Sequence, residues 1–419
     1  MSKVLAKGLL TAAVAMGCFT STVNAEEITV WAWDPNFNVA IMEEAATRYE
    51  ATHPDVEIKV VDFARENIEQ KLHTMLASGV TSSLPDITLI EDYSAQKYLQ
   101  SYPGSFASLS GKINYDNFAP YKVDLTKVGT ENYGVPFDSG VAGLYYRTDI
   151  LAQAGFKAED LENITWQEFI KIGQQVKAKT GISMLGNNPS DMGLIRIMIQ
   201  SAGVWYFNND GSLNIENNAA LKQALEDYKQ LYATGITRAT IGWSEWVGAA
   251  NKGNVASMIT GVWITPSVTA ATDQAGKWKI APVPRLETEG AVNASNLGGS
   301  SWYVLEASKE KATAVDFLAK TFGEDVGLYN QILKERGAVA SYLPAEKTEA
   351  YQYSDQFFGG QKIYSDFSKW MTQIPAVNYG MFTAEVDAAL AAQIPAIMQG
   401  MPIDKALTAV QQQLEYQIR

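Results

Sequence analysis

The chain is nearly devoid of cysteine and histidine, with one Cys and two His in 419 residues. A single cysteine excludes a disulfide framework and any zinc site built mainly of thiolates. Two histidines exclude a His-rich metal centre. Basic residues are also short, 33 Lys and Arg against 46 Asp and Glu, for a net charge of −13. Phosphate contacts need clustered cations, so this balance argues against a nucleic-acid binder. The motifs GxSxG, HExxH, GxxxxGK[ST] and GxGxxG are all missing. His53 precedes a proline at a helix end, and His73 lies near Lys71 on a helix. Both read as surface or capping residues rather than ligands or bases. No catalytic residue, metal or cofactor is therefore expected. Hydrophobic residues make up 47% of the chain, enough for a sizeable core. At ~150 residues per domain the length suggests two or three domains, or two large lobes. The 10 Trp and 20 Tyr point to binding with ring faces.

Residues 1–25 read as a secretory signal peptide. Lys3 and Lys7 form a basic start, Gly8 to Cys18 an apolar and small-residue run, and Val23-Asn24-Ala25 a small-x-small cleavage site. A rival route would lipidate Cys18, but Ala15-Met16-Gly17-Cys18 lacks the leucine usual in a lipobox, so cleavage after Ala25 ranks first. Cleavage removes two lysines, no acids and the only cysteine, moving the net charge from −13 to −15. A cysteine-free chain suits an oxidising compartment. No later apolar run is long enough to cross a bilayer, so a soluble exported protein is expected.

Ile28–Trp31, Val56–Val60 and Pro85–Ile90 read as strands, separated by helical stripes at Val39, Met42, Ala46, Tyr49 and at Ile68, Leu72, Met75. Gly79 closes the second helix. This βαβαβ run implies a parallel sheet covered by helices. The middle reads as mostly helical. Thr165-Trp166-Gln167-Glu168 is a capping box, and an amphipathic helix through Leu221 and Tyr232 ends at Gly235. Short strands follow near Val255–Ile259 and Trp278–Ala281. Ser308 can cap a helix carrying Ala312, Val315, Leu318 and Phe322, and two helices broken near Gly400-Met401-Pro402 end the chain. With no long linker, the lobes should exchange chain several times.

Tryptophans cluster at predicted strand ends and loops. An indole face packs on the C–H face of a pyranose, while carboxylates and amides bond its vicinal hydroxyls. Trp33-Asp34-Pro35-Asn36-Phe37 follows the first strand and Glu91-Asp92-Tyr93 the third. Ligands of open parallel sheets bind outside the carboxyl ends of strands, where both clusters fall. Trp205, Trp243 and Trp263 join the candidates, whereas Trp31, Trp166, Trp278 and Trp370 read as core or structural. Asp34, Glu91, Asp92 and Asp138 sit at loop starts, so a secreted glycosidase with a carboxylate pair is the competing reading.

The mature chain, 26–419, resembles the extracellular solute-binding proteins of ABC sugar importers, the group containing maltose- and lactose-binding proteins. Ile28-Thr29-Val30-Trp31, Leu84-Pro85-Asp86-Ile87 with Glu91-Asp92, and Tyr133-Gly134-Val135-Pro136-Phe137-Asp138 carry the resemblance. So do Gly253–Met258 with Gly261-Val262-Trp263, Asn296-Leu297-Gly298-Gly299-Ser300, and Arg336-Gly337-Ala338-Val339. The resemblance implies an α/β fold of periplasmic-binding-protein type, two doubly wound lobes joined by a three-crossing hinge. The first lobe would comprise 26–138 and 297–334, the second 139–296 and 335–419. Asp92 should bind sugar hydroxyls, Trp263 should stack on a ring, and Gly298 and Gly299 should flex at the hinge beside Ser300. The Glu91-Asp92 stretch lacks the extra residue and aromatic of the maltose-binding pattern, leaving either acid as the ligand. The Trp33–Phe37 segment is similar to lactose and oligosaccharide members, so lactose or a related galactoside is the expected sugar. A monomer in the periplasm, delivering sugar to a permease driven by separate ATPase subunits, is implied.

Overall fold

The computed structural model describes residues 25–418. The expected leader, Cys18 included, lies outside them apart from Ala25. Strands β1 (Glu26–Ala32), β2 (Val56–Asp62) and β3 (Ile87–Glu91) run parallel in the order β2-β1-β3. Helices α1 (Ala40–Glu50) and α2 (Arg65–Ser78) connect them. Ile28, Val30, Ala32 and Ile87 to Ile90 are buried, as expected of strands covered on both faces. Gly79 ends α2 at φ 69°, a left-handed cap that costs glycine no Cβ clash. Helix α3 (Asp92–Ser101) starts directly at the end of β3, and α4 (Pro120–Leu125) leads to the small hairpin β4 (Lys127–Val128) and β5 (Glu131–Asn132).

Strand β6 (Gly134–Arg147) is long enough to serve two sheets. Its first half pairs antiparallel with β11 (Asn296–Val304), which in turn pairs with β3. Its second half pairs with β9 (Val255–Gly261) and β10 (Trp278–Pro282). Strand β9 continues through β7 (Ser183–Asn187) to β8 (Thr237–Ala239), both parallel steps. The result is two α/β halves on one hydrogen-bonded path. A third crossing runs alongside: Ser139 N–H donates to Val339 O (2.8 Å) and Ser341 N–H to Phe137 O (2.9 Å).

The crossings are close-packed at their glycines. A Cβ on Gly140 would stand 2.3 Å from Leu297 O, and one on Gly261 would stand 2.7 Å from the same oxygen. Gly298 and Gly299 take φ 89° and 96°, where β11 shifts register against β6.

The Thr165 capping box forms as read, with Glu168 N–H donating to Thr165 Oγ1 (3.2 Å) and Thr165 N–H to Glu168 Oε2 (2.8 Å). The final helices, Thr383–Met398 and Ile403–Gln417, break at Gly400. Ser308 does not cap the next helix, which runs Lys311–Lys320 behind Glu310; its hydroxyl donates to Asp86 Oδ1 instead. Asp86, just before β3, also accepts the Thr29 N–H of β1 (2.8 Å), so this carboxylate ties a strand to the segment after β11. The middle of the chain is less purely helical than its periodicity suggests, because β7 is a buried five-residue strand without alternation.

Candidate functional site

A cleft of about 970 Å³ opens between the halves, at the carboxyl ends of β1 and β3 and over the crossings. Its first wall comes from the β1-β2-β3 sheet. Trp33, Asp34 and Asn36 line it directly after β1. The backbone there makes one π-helical turn, Pro35–Val39, in which Val39 N–H donates five residues back to Asp34 O (3.1 Å). Asp34 sits at φ 63°, uncommon outside glycine, and its Oδ1 accepts Asn36 N–H at 3.1 Å. The turn thus presents a carboxylate and an amide to the cleft beside an indole. Glu91, the last residue of β3, lines the same wall and accepts a hydrogen bond from Arg65 Nη1 at the start of α2. The Glu91 side chain stays partly exposed beside this pair, with oxygen lone pairs free to accept further hydrogen bonds.

The opposite wall is aromatic. Trp243 and Trp263 line it, with ring centroids 5.8 Å apart and planes 30° from parallel. Trp246 stands behind them, 5.6 Å from Trp243. Trp263 Nε1 donates to Leu297 O (2.8 Å) and Trp246 Nε1 to Gly186 O (3.0 Å). These bonds satisfy the indole N–H groups and pin two rings by their edges. Trp243 is 52% exposed, with ring surface to spare.

The floor is the hinge. Gly298, Gly299 and Ser300 line it with Asp138. Asp138 Oδ1 accepts from both Ser300 N–H and Ser300 Oγ (2.7 Å each), which fixes that carboxylate across two crossings.

Two candidates stand elsewhere. Asp92 does not reach the cleft. It is fully buried one residue beyond Glu91, where its Oδ2 accepts from the buried Lys122 Nζ (2.6 Å) and its Oδ1 from Ser301 Oγ (3.2 Å). Lys122 Nζ also donates to Ser300 O (2.8 Å). Burial pushes the Asp92 carboxyl up, while Lys122 pulls it back. The step from strand to helix turns Glu91 outward and Asp92 inward, so Asp92 is a hinge-side ion-pair partner rather than a sugar contact. Trp205 is 1% exposed, stacked 5.8 Å from Tyr93 and tilted 4.5 Å from Tyr379, with Nε1 bonded to Thr383 Oγ1 (3.0 Å). It is core, because its loop folds inward.

Several lining residues had not been singled out: Arg65, Asp191, Arg196, Asp355 and Tyr364. Arg196 carried a sequence signal, as the one charge in Leu194-Ile195-Arg196-Ile197-Met198. Arg65 lies just past the carboxyl end of β2, where the same strand-end rule applies. The second-half loop residues carried no comparable pattern.

Two α/β halves, three crossings and a cleft over the hinge define a receptor of the periplasmic-binding-protein fold. Solved structures agree. MalE from Xanthomonas citri superposes with a TM-score of 0.78 at 17% identity, covering 92% of this chain and 96% of that one. The ABC transporter associated binding protein of B. animalis subsp. lactis Bl-04, solved with beta-1,6-galactobiose, gives 0.71 at 22%, covering 93% and 97%. The family profile described as "Bacterial extracellular solute-binding protein" matches residues 44–357. A curated relative, the lactose-binding protein of Rhizobium radiobacter, is 55% identical over 419 residues, 100% of this chain and 99% of its own. The chain belongs to the bacterial extracellular solute-binding protein family. It is a transporter component that holds a solute and is not an enzyme, which decides against the glycosidase reading.

Proposed function

We propose that this chain, the substrate-binding component of an ABC sugar importer, captures lactose or a related galactoside in the cleft. One observation carries the choice of sugar: the full-length relative at 55% identity is named for lactose binding. The cleft chemistry supports it. Pyranose rings stack on Trp243 and Trp263, while Trp33, Asp34, Asn36, Glu91 and Asp138 face them as ring and hydrogen-bonding groups. A sugar touching both walls gains its second set of contacts only in a closed form. That differential affinity shifts the population towards closure about the Gly298-Gly299 crossing. The lobes are 26–138 with 297–334 and 139–296 with 335–419. The protein works as a monomer in the periplasm after loss of residues 1–25. Its closed form docks on a permease, and separate subunits hydrolyse ATP.

Titration calorimetry with lactose, maltose and an arabino-oligosaccharide tests the reading. One-to-one binding strongest for lactose, with the sugar recovered intact, is expected. Preference for either of the others overturns the galactoside assignment.

A further inference from the structure

We propose that Arg196 is a specificity-determining residue of the cleft, a charged fork donating to oxygens of a neutral sugar; this rests on the sugar-binding reading above. Arg196 is the only charged residue of its helix, Gly193–Ser201, whose other residues are buried. A cation on an apolar helix needs partners, because burying an unpaired charge is costly. Arg196 has them on one edge and one face. Its Nη2 donates to Asp387, whose Oδ1 accepts Tyr206 OH at 2.8 Å. Its guanidinium carbon lies 4.4 Å from the ring centroid of Tyr93, and the Tyr93 hydroxyl accepts Gly298 N–H at 3.3 Å. The fork is thus held by the second half from behind and stacked on the first half from the side, at the hinge.

Donors remain. Among the described residues Nη1 makes no hydrogen bond to the protein and is the donor left for the cleft, whereas Nε is also unpartnered but buried. A guanidinium offers five N–H donors in a rigid plane, and a fixed plane with spare donors at a cleft wall suits a pair of vicinal oxygens. Charge narrows the class. Glu91 and Asp191 also line the cleft and act on Arg196 electrostatically. An anionic sugar would meet both carboxylates, whereas the hydroxyls of a neutral one take the fork's N–H bonds and can donate to those acids.

Calorimetry of wild type, Arg196→Met and Arg196→Lys with lactose and its monodeoxy analogues tests this. Arg196→Met should raise Kd about 10- to 100-fold, and Arg196→Lys should recover only part, lacking the fork. The decisive readout is coupling: removing one particular hydroxyl should weaken wild type yet leave Arg196→Met unchanged. Asp387→Asn, a positioning variant, should reduce that coupling. Additive losses for every hydroxyl, or unchanged Kd in folded variants, overturn the proposal. If Arg196→Met fails to fold, the same cycle on Arg196→Lys decides. If wild type ignores lactose but binds another sugar, the galactoside reading falls, and monodeoxy forms of that sugar judge Arg196. If wild type binds no sugar, both fall.

Discussion

The two walls of the cleft are built on different principles. The first is polar and set by backbone: strands β1 and β3 end, and the turns after them leave Asp34, Asn36 and Glu91 at the opening. The second is aromatic and set by packing: Trp243 and Trp263 come from different elements and meet where Trp246 packs on Trp243 and Leu297 O accepts the Trp263 N–H. On the proposed reading, neither wall would hold a sugar alone. Hydrogen bonds without stacking compete poorly with water, and stacking without them reads no stereochemistry. Behind the first wall lies a third environment, where Asp92 and Lys122 are sealed from solvent. Neighbours in sequence, Glu91 and Asp92 belong to different machines.

The largest expected effect breaks that hidden layer. Lys122→Met strips the buried Asp92 of its counter-charge, so the carboxyl must stay an uncompensated charge or take up a proton, and should cost ~3–5 kcal/mol of stability in urea unfolding. A comparable stability to wild type would place Asp92 in contact with water and merge it with Glu91. Two tryptophans sharpen the contrast next. Trp205→Ala removes a buried ring and should lower stability by roughly 3–5 kcal/mol. Trp263→Ala, at a half-buried ring, should lower stability less than Trp205→Ala does and instead weaken sugar binding. Stacking one pyranose face buries on the order of 100 Å², ~2–3 kcal/mol, or about 30- to 160-fold in Kd by calorimetry. Smaller still, Glu91→Gln keeps the shape of the polar wall but replaces a charged acceptor, and should raise Kd about 10-fold.

The last test is a control away from both walls, with the smallest expected effect on sugar binding. Asp227 is buried and accepts hydrogen bonds from Gln167 and Gln223, and burial pushes its carboxyl up to about 6. The folded state therefore keeps a proton that the unfolded chain has lost above ~pH 4. Its contribution to stability is present below that pH and is lost as pH rises through about 6. Asp227→Asn should flatten this slope, at most ~1.4 kcal/mol per pH unit, in unfolding curves taken across the window. Sugar affinity should not change.

Much of the architecture was legible in the chain because it depends on local chemistry. The alternating and apolar runs at Ile28, Val56 and Ile87 specified parallel strands, Gly79 and Gly400 marked helix ends, and Thr165 with Glu168 marked a helix start. Strand ends in turn located Trp33, Asp34, Asn36 and Glu91, since position along a strand already says which end faces a cleft. Chain order could not say how far a side chain lies from water. One step in the helical turn after β3 separates a cleft carboxylate from a buried one, and a loop that folds inward makes Trp205 core while Trp243 stays exposed. Ser308 chose a distant carboxylate over the helix beside it for the same reason, because the segment following β11 passes Asp86. Sequence by itself determined most of the elements, the strand β7 aside, the expected hinge glycines and the class of groups available. Only the tertiary structure decided which of those groups meet, because contacts among Arg196, Asp387 and Tyr93 join residues from distant parts of the chain that no local pattern encodes.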